Sequence, residues 1–224
     1  MEIGRKEIAR FIDHTNVKPI STEKDIEKLC KEAVKYKFHS VCVPVIWVKK
    51  AKELVKNKVK VIAVVGFPYG FNPTEAKVIE TKIAIKNGAD EIDMVLNRCW
   101  LKSKKYDLVE RDIREVVKVA GKKGVKVIIE TPDLSEAEIK KACLIAKKAG
   151  AEFIKTCTGL RGGVKVKDVK LIKRIVPDMK IKASGGIRTY EKALSLIKAG
   201  AVRIGTSTGV KIIKGEKVSK KIRY

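Results

Sequence analysis

Residues 149–155 read AGAEFIK, and the same arrangement returns at 87–95 (NGADEIDMV) and 199–205 (AGAVRIG). In each case a stretch with helical spacing ends at a glycine, an alanine follows, and a short apolar run begins. Glycine just past a periodic stretch is a helix stop, because it accepts the left-handed backbone that ends a helix. A short apolar run after such a turn is the mark of a strand buried on both faces. Three copies of this junction predict a repeated helix–strand unit.

Working outward from these copies, strands are expected at 9–13 (ARFID), 40–43, 60–65 (KVIAVV), 89–96 (ADEIDMVL), 126–130 (KVIIE), 151–156, 179–183 (MKIKA) and 201–205 (AVRIG). Longer stretches at helical spacing follow them. One starts at the cap Ser21-Thr22, with Glu23 and Asp25 in its first turn. Others are expected near 47–55, at 74–87 before Gly88, at 106–122, and from Ser135 to Ala149. Alternating strands and helices imply parallel pairing through right-handed crossovers. Eight such units favour a closed α/β (β/α)8 barrel, the TIM barrel, over an open doubly wound sheet. No linker or composition break divides the 224 residues, so one catalytic domain over residues 1–224 is expected.

Composition narrows the function classes. Hydrophobic residues make up 45% of the chain and aromatics only 5%, so aliphatic side chains must fill the core. The apolar runs are strand-sized and the N-terminus has no apolar leader, so no membrane segment is expected. The five cysteines show no C-x-x-C spacing, which predicts reduced thiols and a cytoplasmic location. A net charge of +25 raises the question of nucleic acid. However, the lysines are spread in pairs over every expected helix, without interleaved aromatics or helix-turn-helix and zinc-finger spacing. The sequence therefore predicts a solvated lysine-rich surface with no nucleic-acid partner. Abundant lysine with no glutamine at all is a bias of heat-adapted proteins. No glycine-rich nucleotide motif is present, and His14 and His39 stand too far apart to suggest a metal centre. No cofactor and no metal are expected. Cys157 is read as a packing thiol, Cys42 as facing the cavity without acting in it, and Asp90 and Glu91 as surface charges.

The reactive face of a barrel lies at the C-terminal ends of its strands. Polar residues expected there or nearby are Asp13, Asp93, Lys126, Glu130, Lys155 and Lys182. Lys155 and Lys182 fall on neighbouring strands, with Asp93 two strands before Lys155. An ordinary lysine is protonated at neutral pH, whereas attack on a carbonyl needs the free amine. Burial and a second ammonium disfavour the charged form, so a lysine pair beside a carboxylate suits Schiff-base chemistry. The competing reading is a set of solvated strand ends. Two glycine- and hydroxyl-rich turns, Ser184-Gly185-Gly186-Ile187-Arg188-Thr189 and Gly205-Thr206-Ser207-Thr208-Gly209, follow the seventh and eighth strands. Barrels commonly bind phosphate at these two positions. The segment from Thr158 and Gly159 through Arg161-Gly162-Gly163 adds a third edge.

The stretches Phe153–Gly159 (FIKTCTG), Glu91–Val95 (EIDMV), Lys182–Thr189 (KASGGIRT), Lys126–Thr131 (KVIIET) and Ile12–Thr15 (IDHT) together resemble the deoxyribose-phosphate aldolase family along nearly the whole chain. The resemblance implies a class I aldolase, a lyase that needs no cofactor. It would reversibly cleave 2-deoxy-D-ribose 5-phosphate to D-glyceraldehyde 3-phosphate and acetaldehyde. It implies Lys155 as nucleophile, Lys182 as the group that lowers its pKa, and Asp93 in proton transfer with Lys126 and Asp13. It also implies phosphate binding by Gly159, Gly185, Gly186, Arg188, Gly205 and Ser207. Leu160 departs from members that carry a lysine there, and Tyr224 stands where some members use a C-terminal tyrosine as proton carrier. A small phosphorylated sugar is the expected partner, with a homo-oligomer, dimer or tetramer, as the expected assembly.

Overall fold

The computed structural model describes residues 3–216. Eight parallel strands close into a barrel in simple sequential order. They are β1 (Ile12–Thr15), β2 (Ser40–Pro44), β3 (Lys60–Val65), β4 (Glu91–Val95), β5 (Gly124–Ile128), β6 (Phe153–Lys155), β7 (Lys180–Ser184) and β8 (Arg203–Thr206). Around them run α1 (Glu23–Lys35), α2 (Val48–Val55), α3 (Thr74–Lys86), the short α4 (Arg98–Lys102), α5 (Tyr106–Ala120), α6 (Glu136–Lys148), α7 (Val166–Ile175), α8 (Tyr190–Lys198) and α9 (Gly209–Lys214). The expected (β/α)8 barrel is the observed one. Among the described residues no helix is long and apolar enough to cross a membrane. Tyr224 lies outside the described residues.

Local chemistry starts the helices where the sequence predicts. Thr22 and Ser135 each accept a bond from the backbone N–H three residues on, at Asp25 and Glu138, while those carboxylates bond back to the cap N–H. Each is a reciprocal capping box that satisfies two orphan donors. Gly88, Gly150 and Gly200, the glycines of the three repeated junctions, all have positive φ (99°, 88° and 114°).

The strand pleat divides the core in two. Outward residues such as Val41, Val61, Ile92, Val127, Ile154, Ile181 and Ile204 join the helices in one continuous aliphatic core. Inward residues form a smaller apolar cluster only on β2 and β3, where Cys42, Ile62 and Val64 meet Val17 and Phe67. Elsewhere the barrel interior is largely charged, with Val95, Ile128 and Phe153 as further buried apolar residues on the inward face.

The first strand begins later than expected. Residues 9–11 belong to a tight helical turn over Glu7–Phe11, and pairing starts at Ile12. The buried residues Ile8, Ala9 and Ile12 have helix-compatible spacing, which the short apolar run concealed. The fifth strand stops at Ile128, so Glu130 sits in the following turn with φ 60° rather than on the strand. Of the two expected surface charges, Glu91 is inside the barrel and Asp90 is only partly exposed. Glu91 is 5% exposed and Asp90 is half-buried, its carboxylate gripped by Lys52 at 2.9 Å.

Helix α3 reverses the usual polarity of a barrel helix. Ile79 and Ile83 are exposed, while Lys77 is fully buried against Asp112 of α5 at 2.5 Å and donates to the carbonyl of Val95 at 3.0 Å. Breaking a buried pair strands a charge, so Asp112→Ala is expected to cost about 3–5 kcal/mol. The apolar double replacement Lys77→Met with Asp112→Leu should recover most of that loss. Denaturant midpoints of the two variants check this pair.

Candidate active site

The register places the charged residues in layers. Asp93 of β4 pairs with Lys126 of β5, and Lys155 of β6 pairs with Lys182 of β7. Alternation turns all four inward, since residues two apart on a strand share a face. Lys155 Nζ donates to Asp93 Oδ2 at 2.7 Å, and Lys182 Nζ donates to the same oxygen at 2.8 Å. Lys126 Nζ lies 3.1 Å from the other oxygen, Oδ1, and 2.6 Å from Glu91 Oε2. Both Lys126 contacts fall outside hydrogen-bond angles, so their attraction is between charges. Asp13 closes the ring: Lys182 Nζ is 2.6 Å from its Oδ2, and Ser40 Oγ donates to its Oδ1 at 2.7 Å. The five residues expected to act together are therefore one contact network, and each is at most 4% exposed.

Burial alone would drive these groups neutral; their partners reverse it. Burial pushes Asp93 up, yet Lys126, Lys155 and Lys182 hold its carboxyl well below the usual carboxylate range. Burial pushes Lys182 down, and Asp13 with Asp93 raises it above an ordinary lysine. Lys126 is raised against the effect of burial by Asp93 and Glu91, with Lys182 opposing. Four buried or half-buried cations (Lys126, Lys155, Lys182, Arg203) thus face three buried carboxylates (Asp13, Glu91, Asp93). Lys155 is the cation with a single carboxylate partner and an opening to the cleft above.

That cleft, of about 530 Å³, gathers Gly159, Gly185, Gly186, Arg188, Gly205 and Ser207, all six residues expected to hold an anion. Arg161, Gly162 and Gly163 form its third edge. Two of the glycines are required by space. Gly185 has φ +98°, and a Cβ there would lie 3.0 Å from Cys157 Cβ and 3.1 Å from the carbonyl oxygen of Gly162. A Cβ on Gly205 would come within 2.9 Å of Ser184 Cβ and 3.2 Å of Lys182 Cε, so this glycine leaves room for the lysine. A narrow throat lined by Thr15, Phe67, Ser184 and Gly205 joins Lys155 to the cleft. Thr156 Oγ1 donates to the carbonyl of Ser184 and accepts from its N–H, both at 3.0 Å, which stitches β6 to β7 just beyond the two lysines.

Around the network lie further residues, some flagged by the sequence, such as Glu130 and Leu160, and some not, such as Val17, Trp47 and Phe67. Glu130 accepts from Thr158 through both the backbone N–H and the hydroxyl, fixing the loop after β6. Burial raises its carboxyl against these bonds. On the far side of the throat a second cleft, about 540 Å³, is walled by Val17, Pro44, Trp47, Phe67, Pro68 and Tyr69. Leu160 borders both clefts. Cys42 Sγ lies 3.8 Å from Asp93 Oδ2, its thiol raised by burial. Cys157, with its thiol pushed up to about 11 by burial, packs on Thr131. His14 bonds Glu32 at 2.8 Å, and His39 bonds Arg203.

The profile described as DeoC/LacD family aldolase matches residues 8–215. This chain belongs to that family. A deoxyribose-phosphate aldolase from Thermococcus kodakarensis is 56% identical over 220 residues, covering 95% of this chain and 98% of that protein. One from Streptococcus sanguinis is 54% identical over 213 residues, with 94% and 97% covered. Among solved structures, a tetrameric deoxyribose phosphate aldolase from Aeropyrum pernix superposes with a TM-score of 0.88 at 32% identity, covering 95% and 92% of the two chains. A Schiff base-forming fructose-1,6-bisphosphate aldolase, at 17% identity and a TM-score of 0.60, covers 95% of this chain and 98% of its own, and shares the fold.

For an aldolase built this way, Asp93 also carries stability. A carboxyl depressed in the folded state stabilises above its unfolded pKa, near 3.9, and that contribution is lost as pH falls through the lower folded value. Asp93→Asn should therefore be less stable than the parent at pH 7 and lose less on acidification below about pH 4. Denaturant unfolding of both proteins at pH 7 and pH 3 measures the difference.

Proposed function

We propose that this aldolase cleaves 2-deoxy-D-ribose 5-phosphate reversibly to D-glyceraldehyde 3-phosphate and acetaldehyde through a Schiff base on Lys155. The observation that carries the reading is the shared oxygen of Asp93, 2.7 Å from Lys155 and 2.8 Å from Lys182, beneath a cleft of glycine turns. The neutral amine of Lys155 adds to C1 of the open-chain sugar, and loss of water leaves an iminium. Removal of the proton from the 3-hydroxyl then breaks the C2–C3 bond, and the electron pair passes into the iminium as an enamine. Glyceraldehyde 3-phosphate departs. Protonation of the enamine carbon and addition of water release acetaldehyde and restore the amine.

Within this scheme Lys182 stays an ammonium, since Asp13 and Asp93 both hold its proton. Its positive charge beside Lys155 favours the unprotonated nucleophile. Asp93, kept ionised by three lysines, accepts and returns protons over Lys155, with Lys126 and Asp13 supporting the relay. The phosphate rests against Gly159, Gly185, Gly186, Gly205, Ser207 and Arg188. The whole chain acts as a single catalytic domain in the cytoplasm, without cofactor or metal, as a dimer or tetramer. The lysine excess and absent glutamine support a heat-adapted enzyme.

Borohydride reduction in the presence of acetaldehyde, followed by peptide mass mapping, should place one adduct on Lys155. Lys155→Ala should form none and lose cleavage of 2-deoxyribose 5-phosphate; equal activity in the two proteins would defeat the reading. Gly185→Ala should raise KM for the phosphorylated sugar about tenfold, or about 1.4 kcal/mol. Unphosphorylated 2-deoxyribose should be cleaved by that variant much as by the parent.

A further inference from the structure

Below the reactive layer lies a carboxylate that the proposed chemistry does not use. Glu91 precedes Asp93 by two residues on β4, so the pleat points both into the barrel. Its register partner on β5 is Gly124, which has no side chain to fill that level. Glu91 Oε2 stands 2.6 Å from Lys126 Nζ. Its other oxygen is 2.8 Å from Lys60 of β3, 3.7 Å from His39 in the turn before β2, and 3.9 Å from Arg203 of β8. Burial raises its carboxyl, but His39, Lys126 and Lys60 bring it far below the usual range. Lys126 is fully buried, and among the described residues its carboxylate neighbours within 4 Å are Glu91 and Asp93.

We infer that Glu91 is a positioning residue: by neutralising Lys126 from below, it sets how much negative charge Asp93 has left for Lys155 and Lys182. The inference rests on Lys155 being the Schiff-base nucleophile. Glu91 does not line the throat that opens onto Lys155, so it acts through its neighbours. Closest is Lys126 at 2.6 Å, and a longer route runs through Arg203, 3.9 Å away and 3.7 Å from Asp13. The groups facing Lys155 itself are Asp93 from β4 and Lys182 from β7, with Cys42 of β2 and Asp13 of β1 completing the ring around Asp93 and Lys182. Without the charge on Glu91, the ammonium of Lys126 has Asp93 Oδ1 as its sole counter-ion, and the cluster gains one unit of positive charge. Two consequences follow from the sign. A more positive surrounding favours the free amine at Lys155, so it reacts at lower pH. A more heavily neutralised Asp93 is a weaker base, so proton transfer during turnover slows.

The test follows the pH dependence of borohydride trapping with acetaldehyde, which reads the free amine without requiring turnover. In Glu91→Gln the acid limb of the trapping rate should move about one pH unit lower than in the parent. Lys126→Met should move it in the opposite direction by a similar amount. The double variant, neutral in net charge change, should return it to the parental position, and Glu91→Asp, which keeps the charge, should stay near it. For Glu91→Gln, kcat at the pH optimum should fall about tenfold while KM changes less than about twofold, a split that general loosening of the fold would not produce. Limbs that coincide in the parent, Glu91→Gln and Lys126→Met would overturn the role of Glu91. If Glu91→Gln does not fold, equal limbs in Lys126→Met and the double variant would overturn it equally. Absence of any adduct in the parent would instead defeat the Schiff-base reading and is distinguishable at once.

Discussion

Three lysine ammonium groups converge on the carboxylate of Asp93 in the middle of the barrel. Without that anion, like charges would crowd a space largely cut off from water, and each would cost several kcal/mol to keep there. Barrel interiors are ordinarily filled by layers of branched aliphatic side chains. Here Cys42, Ile62 and Val64 form one apolar cluster, Val95, Ile128 and Phe153 add isolated apolar side chains on the inward face, and ion pairs occupy the middle. Apolar stabilisation has moved to the shell between strands and helices, where most buried aliphatic residues lie. The division explains how a charged interior and a folded protein coexist. The outer shell holds the fold, and the inner one is released for chemistry.

Much of this was legible in the primary structure because alternation and junction chemistry agree. The glycine–alanine junctions, the capping residues Thr22 and Ser135, and the apolar strand runs all point to one repeating unit. The junctions and caps occupy their expected places, while the first and fifth strands are shifted by a few residues. The polar strand residues Asp93, Lys126, Lys155 and Lys182 were recognisable because lysine and aspartate within apolar runs need a reason to be there. What escaped had weaker local signals. Helix α4, five residues capped by Asn97, is too short to show a period. Lys77 reads as one more surface lysine, because the partner that allows its burial, Asp112, is 35 residues away. Glu91 reads as a surface charge beside Asp90, although the two-residue step to Asp93 puts it on the inward face. The walls of the apolar cleft, Val17 and Phe67, come from loops whose paths only the closed barrel defines.

The surface has a different logic from the interior. A net charge of +25 is distributed over the helices, where lysines find carboxylates such as Glu23, Glu138 and Asp178. Pairs of this exposed kind contribute little to stability at moderate temperature. Their summed field attracts anions, which suits the sugar phosphate proposed as substrate.

The stitch between Thr156 and Ser184 has a consequence for selection among substrates. It ties the strand end bearing Lys155 to the strand end that continues into Gly185 and Gly186. The carbonyl of Gly185 is in turn held by the N–H of Val164, at 3.1 Å. The spacing between these two strand ends is therefore set by the Thr156 hydroxyl clasping the Ser184 main chain, together with the main-chain bond from Val164 to Gly185. Such a span works as a fixed gauge. In the proposed reaction a sugar phosphate is measured by the number of carbons between its carbonyl and its phosphate, and the Thr156 hydroxyl is the side chain on which that gauge depends.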